Sequence, residues 1–111
     1  MTDNTDTPQP SAAQQMLGDF APALVHFTDD VLFGEVWKRP ELSPRDRSLV
    51  TVAALIAGGN AEQLSFHLQY AKDNGLTETE LIETITHTAF YAGWPKAFSA
   101  IGVAKQVFRN N

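Results

Sequence analysis

The stretch ELSPRDRSLVTVAALIAGG, residues 41–59, decides between two folds. Its middle, Leu49 to Ala57, is apolar on nearly every side, and valine, threonine and isoleucine suit a buried β-strand. The flanks favour a helix. Ser43 is a good N-cap, Pro44 fits the first helical position, and Asp46, three residues after the cap, complements the positive helix end. Gly58 and Gly59 supply a stop. The length of the run and its alanines agree with the flanks, so the stretch reads as a helix. A helix apolar around most of its circumference is either central to a bundle or meets another subunit.

The same punctuation recurs on both sides. Pro40 disfavours helix immediately before it. Pro22 suits the first turn of a helix on which Leu24, Phe27, Val31 and Leu32 recur at helical spacing, running to Glu35, Val36 or Trp37. A short helix follows Ser11, and residues 1–10, rich in Thr, Asp and Pro, read as a disordered tail. Downstream, a helix over Ala61 to Asn74 carries Leu64, Leu68 and Ala71 on one face. Thr77 and Glu80 match a capping box for the next helix, whose stripe is Leu81, Ile82, Ile85 and Ala89. Gly93 ends it. Pro95 sits near the first turn of a last helix with Ala97, Ile101, Ala104 and Phe108 on one stripe. The expectation is an all-α fold, a compact bundle of five to six helices forming a single domain over residues 11–111.

Composition narrows the function classes. The chain has 111 residues, 43% of them hydrophobic, which is enough for a core. A net charge of -5 argues against a nucleic-acid partner and against an anionic membrane surface. It leaves room for an acidic small molecule, because a local pair of arginines can outweigh the average. There is no cysteine, so disulfides, thiolate nucleophiles and thiolate metal sites are excluded. The first residues have neither a secretory nor a transit pattern, and no apolar run reaches membrane-spanning length. A cytoplasmic location is expected.

A few polar residues do not fit the stripes. His87 has Glu83 four residues before it and Tyr91 four after, all on one helix face. His67 lies three residues from Leu64 and beside Phe66. Partly buried imidazoles are candidate acids or bases near neutrality, and equally ordinary hydrogen-bonded boundary groups. Arg45 and Arg47 fall in the first turn of the apolar helix, where they either form an anion site or pair with Asp46, Glu41 or Glu35. Glu35 sits among Phe33, Val36 and Trp37, where partial desolvation would raise its pKa; the plain reading is a solvated carboxylate. Two histidines and a glutamate could form a metal triad, but no HExxH spacing supports one, and Gly58-Gly59 lacks the lysine of a phosphate loop.

With these residues in view, GEVWKRPELSPRDRSLVTVAALIAGG, HLQYAKDNGLTETELIE and HTAFYAGWPKA, in order and with natural spacing, resemble the carboxymuconolactone decarboxylase family. The pattern matches at Glu35, Trp37, Arg39, Arg45, Arg47, His67, His87, Tyr91, Gly93 and Pro95. The resemblance implies an all-α fold like that of alkylhydroperoxidase D, with protomers associating through helices as trimers or trimers of dimers. The thiol-using branch of that superfamily carries a CxxC, so its peroxidase chemistry cannot apply to this chain. The resemblance implies decarboxylation of gamma-carboxymuconolactone, a small dicarboxylate lactone, to the 3-oxoadipate enol-lactone in aromatic catabolism, with no metal or organic cofactor.

On that reading Arg45 and Arg47, with Arg39, hold a carboxylate. His87 donates a proton, His67 stabilises charge, and the reverse assignment stays open. Glu35 orients a histidine. Phe66, Tyr91 and Trp94 form apolar walls, with Trp94 narrowing or reshaping the cavity.

Overall fold

The computed structural model describes residues 10–109, so the tail expected over the first ten residues lies almost wholly outside them. The described residues form six α-helices with no strand. By its internal contacts the chain divides into two compact units, one ending at Glu41 and the other beginning at Leu42.

In the first unit, α1 spans Ala12–Leu17 and α2 spans Pro22–His26. Ser11 caps α1 through a full capping box with Gln14. Pro22 opens α2 as expected, but the helix does not continue regularly. It widens into a π-helical turn over Phe27–Phe33 and then tightens into a 3-10 turn over Val36–Lys38. A π turn adds a residue per turn and rotates everything after it, so the apolar spacing read from the sequence no longer marks one buried face. Leu24, Phe27 and Leu32 are exposed, whereas Trp37 is buried and its ring stacks on Phe33 with centroids 6.0 Å apart.

The second unit consists of α3 (Pro44–Gly58), α4 (Ala61–Asp73), α5 (Glu78–Ala92) and α6 (Trp94–Arg109). The strand alternative for residues 49–57 is therefore lost to the helix. Its local signals act as read: Ser43 Oγ accepts from the Asp46 backbone N–H at 3.1 Å, and Gly59 closes the helix in a left-handed conformation at φ 70°. At the start of α5, the Glu80 N–H donates to Thr77 Oγ1 at 3.0 Å and the Thr77 N–H donates to Glu80 Oε1 at 2.9 Å. Gly93, at φ 104° and ψ 152°, holds a backbone conformation open essentially to glycine alone and is the single residue between α5 and α6.

α3 packs against α4, α5 and α6, while α6 also packs against α4 and α5. The core takes Val52 and Ile56 from α3, Leu64, Leu68 and Ala71 from α4, Leu81, Ile85 and Ala89 from α5, and Ala97, Ala100 and Ala104 from α6. The α6 stripe differs from the expected one. Ala100 is buried and Ile101 is 38% exposed, because alanines let α6 come close to its neighbours and turn the larger side chain outward. Ile82, expected in the α5 stripe, is 43% exposed for the same rotational reason, and Thr88 is buried instead. One buried polar group joins two helices: Asn74 Nδ2, at the end of α4, donates to the fully buried Ser48 Oγ of α3 at 3.0 Å.

Candidate active site

The second unit carries an open groove of ≈ 460 Å³ between α3 and α5. This size suits a small organic acid. Helical spacing builds both walls. From α3, Arg45, Leu49 and Ala53 follow one another at intervals of four. From α5 come Glu80, Glu83, Thr84, His87 and Thr88, the positions one and two turns apart on a single face, while Leu76 closes one end. The floor is apolar, and the polar groups are one guanidinium, two carboxylates, one imidazole and two hydroxyls.

Arg45 and His87, 42 residues apart in sequence, thus meet in one groove. Arg45 is not idle in it. Its Nη2 donates to Glu80 Oε2 at 2.5 Å, and its Nη1 lies 3.4 Å from Asp46 Oδ1. The Thr77 backbone N–H, with Arg45 and the Thr77 hydroxyl adding to it, holds the Glu80 carboxyl below its usual pKa against the opposing push of desolvation. Glu80 therefore stays ionised through the neutral range. The partly buried position expected for His87 gives way to an exposed one, because residue 87 falls on the outer edge of α5. Tyr91, one turn on and 81% exposed, has its ring 5.1 Å from that of His87.

The other expected site residues lie outside the groove walls. Arg47, two positions after Arg45 on α3, is half-buried and does not line the groove. His67 is on α4, half-buried, with its ring edge-on to Phe66 at 5.0 Å. Phe66 in turn stacks on Tyr70 at 5.5 Å and is 52% exposed. Trp94 is also 52% exposed and meets Phe90 edge-on at 5.1 Å. So Phe66, Tyr91 and Trp94 do not roof the groove within one chain. In the first unit, Glu35 is exposed, and Arg39 pairs with Glu41 at 3.7 Å with both side chains largely in solvent. Among the described residues, no group of three or more histidine, aspartate or glutamate side chains is arranged to hold a metal ion, and no helix is long and apolar enough to cross a membrane.

The groove also contains carboxylates that the sequence did not assign to it. Glu80 was legible as a capping residue, and Glu83 as a neighbour of His87. Their shared face at positions 80, 83–84 and 87–88 was the available signal. Without the pairing of α5 with α3, nothing said that this face meets Arg45.

Burial lowers the pKa of His67 from its ordinary value of 6.5. The unfolded chain therefore takes up a proton at this residue before the folded chain does. Stability contributed by neutral His67 is complete above the unfolded pKa and is lost as pH falls from about 6.5 toward the lower folded value. Replacing His67 with Gln is expected to flatten that acid-side decline. Urea midpoints at pH 7.5, 6.5 and 5.5 for both proteins check it; parallel declines would show that His67 does not titrate as its burial requires.

The carboxymuconolactone decarboxylase family matches residues 22–106. The 4-carboxymuconolactone decarboxylase of Acinetobacter baylyi is 42% identical over 94 residues, which cover 85% of this chain and 70% of that protein. The nitrosuccinic acid decarboxylase of Metarhizium robertsii is 35% identical over 78 residues, 70% of this chain and 54% of that protein. The match takes in both walls of the groove and the Gly93 step, and the chain belongs to the carboxymuconolactone decarboxylase family.

Proposed function

We propose that this protein is a carboxy-lyase that decarboxylates 4-carboxymuconolactone to the 3-oxoadipate enol-lactone in the breakdown of aromatic compounds, without a cofactor. The similarity to the Acinetobacter decarboxylase is the observation that carries the reading. The groove supplies groups suited to it: one cation, one imidazole and an apolar floor.

The substrate bears two carboxylates. The one that leaves is on a ring carbon joined through the ring alkene to the lactone carbonyl. When its bond to the ring breaks, carbon dioxide departs and the electron pair moves through the alkene toward the carbonyl, giving a dienolate. The substrate thus contains its own electron sink, and the protein has two tasks. It must stabilise the dienolate, and it must deliver a proton to the carbon next to the carbonyl. Arg45 holds the carboxylate that stays, since a tight grip on the departing one would stabilise the ground state. His87, across the groove, delivers the proton. The roles of His67, Glu35, Arg39, Arg47 and the aromatic residues call for surfaces beyond this groove.

Those surfaces fit a homo-oligomer. Trp94, Phe98 and Ile101 recur on one exposed face of α6, and Ile82 and Phe90 on α5, with Phe90 and Trp94 in ring contact. So much apolar surface suits burial against another copy of the chain, in a trimer or a trimer of dimers in the cytoplasm. Light scattering should give a mass several times 12.2 kDa, reduced by Phe98→Asp. A monomeric wild type would overturn this part.

The nitrosuccinic acid relative suggests a second substrate class. A nitro group beside a carboxylate is also an electron sink, and nitrosuccinic acid is again a dicarboxylic acid. The test is carbon dioxide release from the purified chain, with and without chelator, supplied with either compound. The reading expects one carbon dioxide per lactone consumed, unaffected by chelator. Turnover of the nitro acid with none of the lactone would select the second class, and turnover of neither would overturn the proposal.

A further inference from the structure

Arg45 and Glu80 are 35 residues apart, yet they form the closest ion pair in the groove. Both oxygens of Glu80 are engaged: Oε1 accepts from the Thr77 backbone N–H, and Oε2 accepts from Arg45 Nη2. The first bond fixes the carboxylate relative to the end of α5. The second carries that fixity to the guanidinium of α3. An arginine side chain is long and loses rotamer entropy when it is held for a ligand, so a partner that holds it beforehand removes part of that cost from binding. A cap alone needs only one oxygen.

We propose that Glu80 is a positioning residue for this groove: anchored by the helix cap, it holds the Arg45 guanidinium across the groove so that a substrate carboxylate meets a cation already aimed. As a statement about substrate, this rests on the function proposed above. Glu80 itself does not touch the reacting atoms. Other titratable groups near the pair are Asp46 beside Arg45 and, one turn along α5, Glu83 and then His87.

Glu80→Gln isolates the role, because the amide oxygen can still accept from the Thr77 N–H while the charge that holds Arg45 is gone. The variant is expected to raise KM for the lactone about three- to five-fold, the scale of a partly exposed ion pair, with kcat within two-fold. In an Arg45→Gln background the same change should add nothing, since Glu80 acts only through Arg45. Thr77→Ala weakens the same cap and should lower the melting temperature without moving KM. An unchanged or lower KM for Glu80→Gln would make Glu80 a bystander or a competitor for Arg45 and overturn the proposal. So would an undiminished effect in the Arg45→Gln background, or a KM change of equal size in Thr77→Ala. A substrate-free measurement keeps the two proposals separable. The Arg45 Nη–H NMR signals should be protected from exchange in the wild type, where Nη2 donates to Glu80, and lose protection in Glu80→Gln. If the wild type turns over no lactone, the proposed function falls, while equal protection in both proteins would overturn the role of Glu80.

Discussion

His87→Asn is expected to lower kcat for lactone decarboxylation by roughly 10²- to 10⁴-fold, the range that a positioned proton donor supplies. His87 is the one imidazole lining the groove, which Arg45 also lines. Asparagine retains a hydrogen-bonding amide but cannot deliver a proton near neutral pH. The residue is exposed, so its replacement leaves the core intact, and the melting temperature should stay within a few degrees. KM should change little, whereas Arg45→Gln should act chiefly on KM. Progress curves at saturating and limiting lactone separate the two parameters. A kcat within two-fold of wild type would remove His87 from the proton transfer.

Leu68→Ala is expected to have the largest effect on stability, a loss of about 2–5 kcal/mol. Leu68 is fully buried at the middle of α4, which packs on both α3 and α6. Truncation loses the transfer energy of the side chain and leaves a cavity that three rigid helices cannot readily collapse. Total stabilities are usually about 5–15 kcal/mol, so the loss is a large fraction of what holds the unit together. Urea unfolding at fixed protein concentration should show a lower midpoint with an unchanged slope. A loss below 1 kcal/mol would mean that the α4 stripe is not the core.

Much of the fold was legible because its signals are local. The caps at Ser43 and Thr77 use atoms within three residues of each other, and Gly93 answers to its own backbone angles. The α4 stripe of Leu64, Leu68 and Ala71 was legible because most of its other positions, Phe66 and Tyr70 apart, are polar. On α6 the rule of choosing large apolar residues picked Ile101 over Ala100; close helix packing prefers the smaller one. The π turn at Phe27–Phe33 carries no local mark, since no proline or glycine lies within it. The site was legible in residue types and only partly in partners. Arg45 and His87 stood out as polar residues at the edges of apolar helices. That α3 lies against α5, that Glu80 reaches Arg45 with the oxygen its cap leaves over, and that His67 does not line this groove are facts of tertiary packing, which spacing along one helix does not contain.

The central claim is that the face shared by α3 and α5 receives the substrate. A saturated dicarboxylate lactone lacks the alkene that takes up the electron pair, so it can bind without reacting. Titrating it into isotope-labelled protein and following side-chain and backbone NMR signals tests the claim most directly. Saturable shifts centred on Arg45, Leu49, Ala53, Thr84 and His87, weakened in Arg45→Gln, are the predicted result. Saturable shifts elsewhere in the chain, with these residues unmoved, would contradict it.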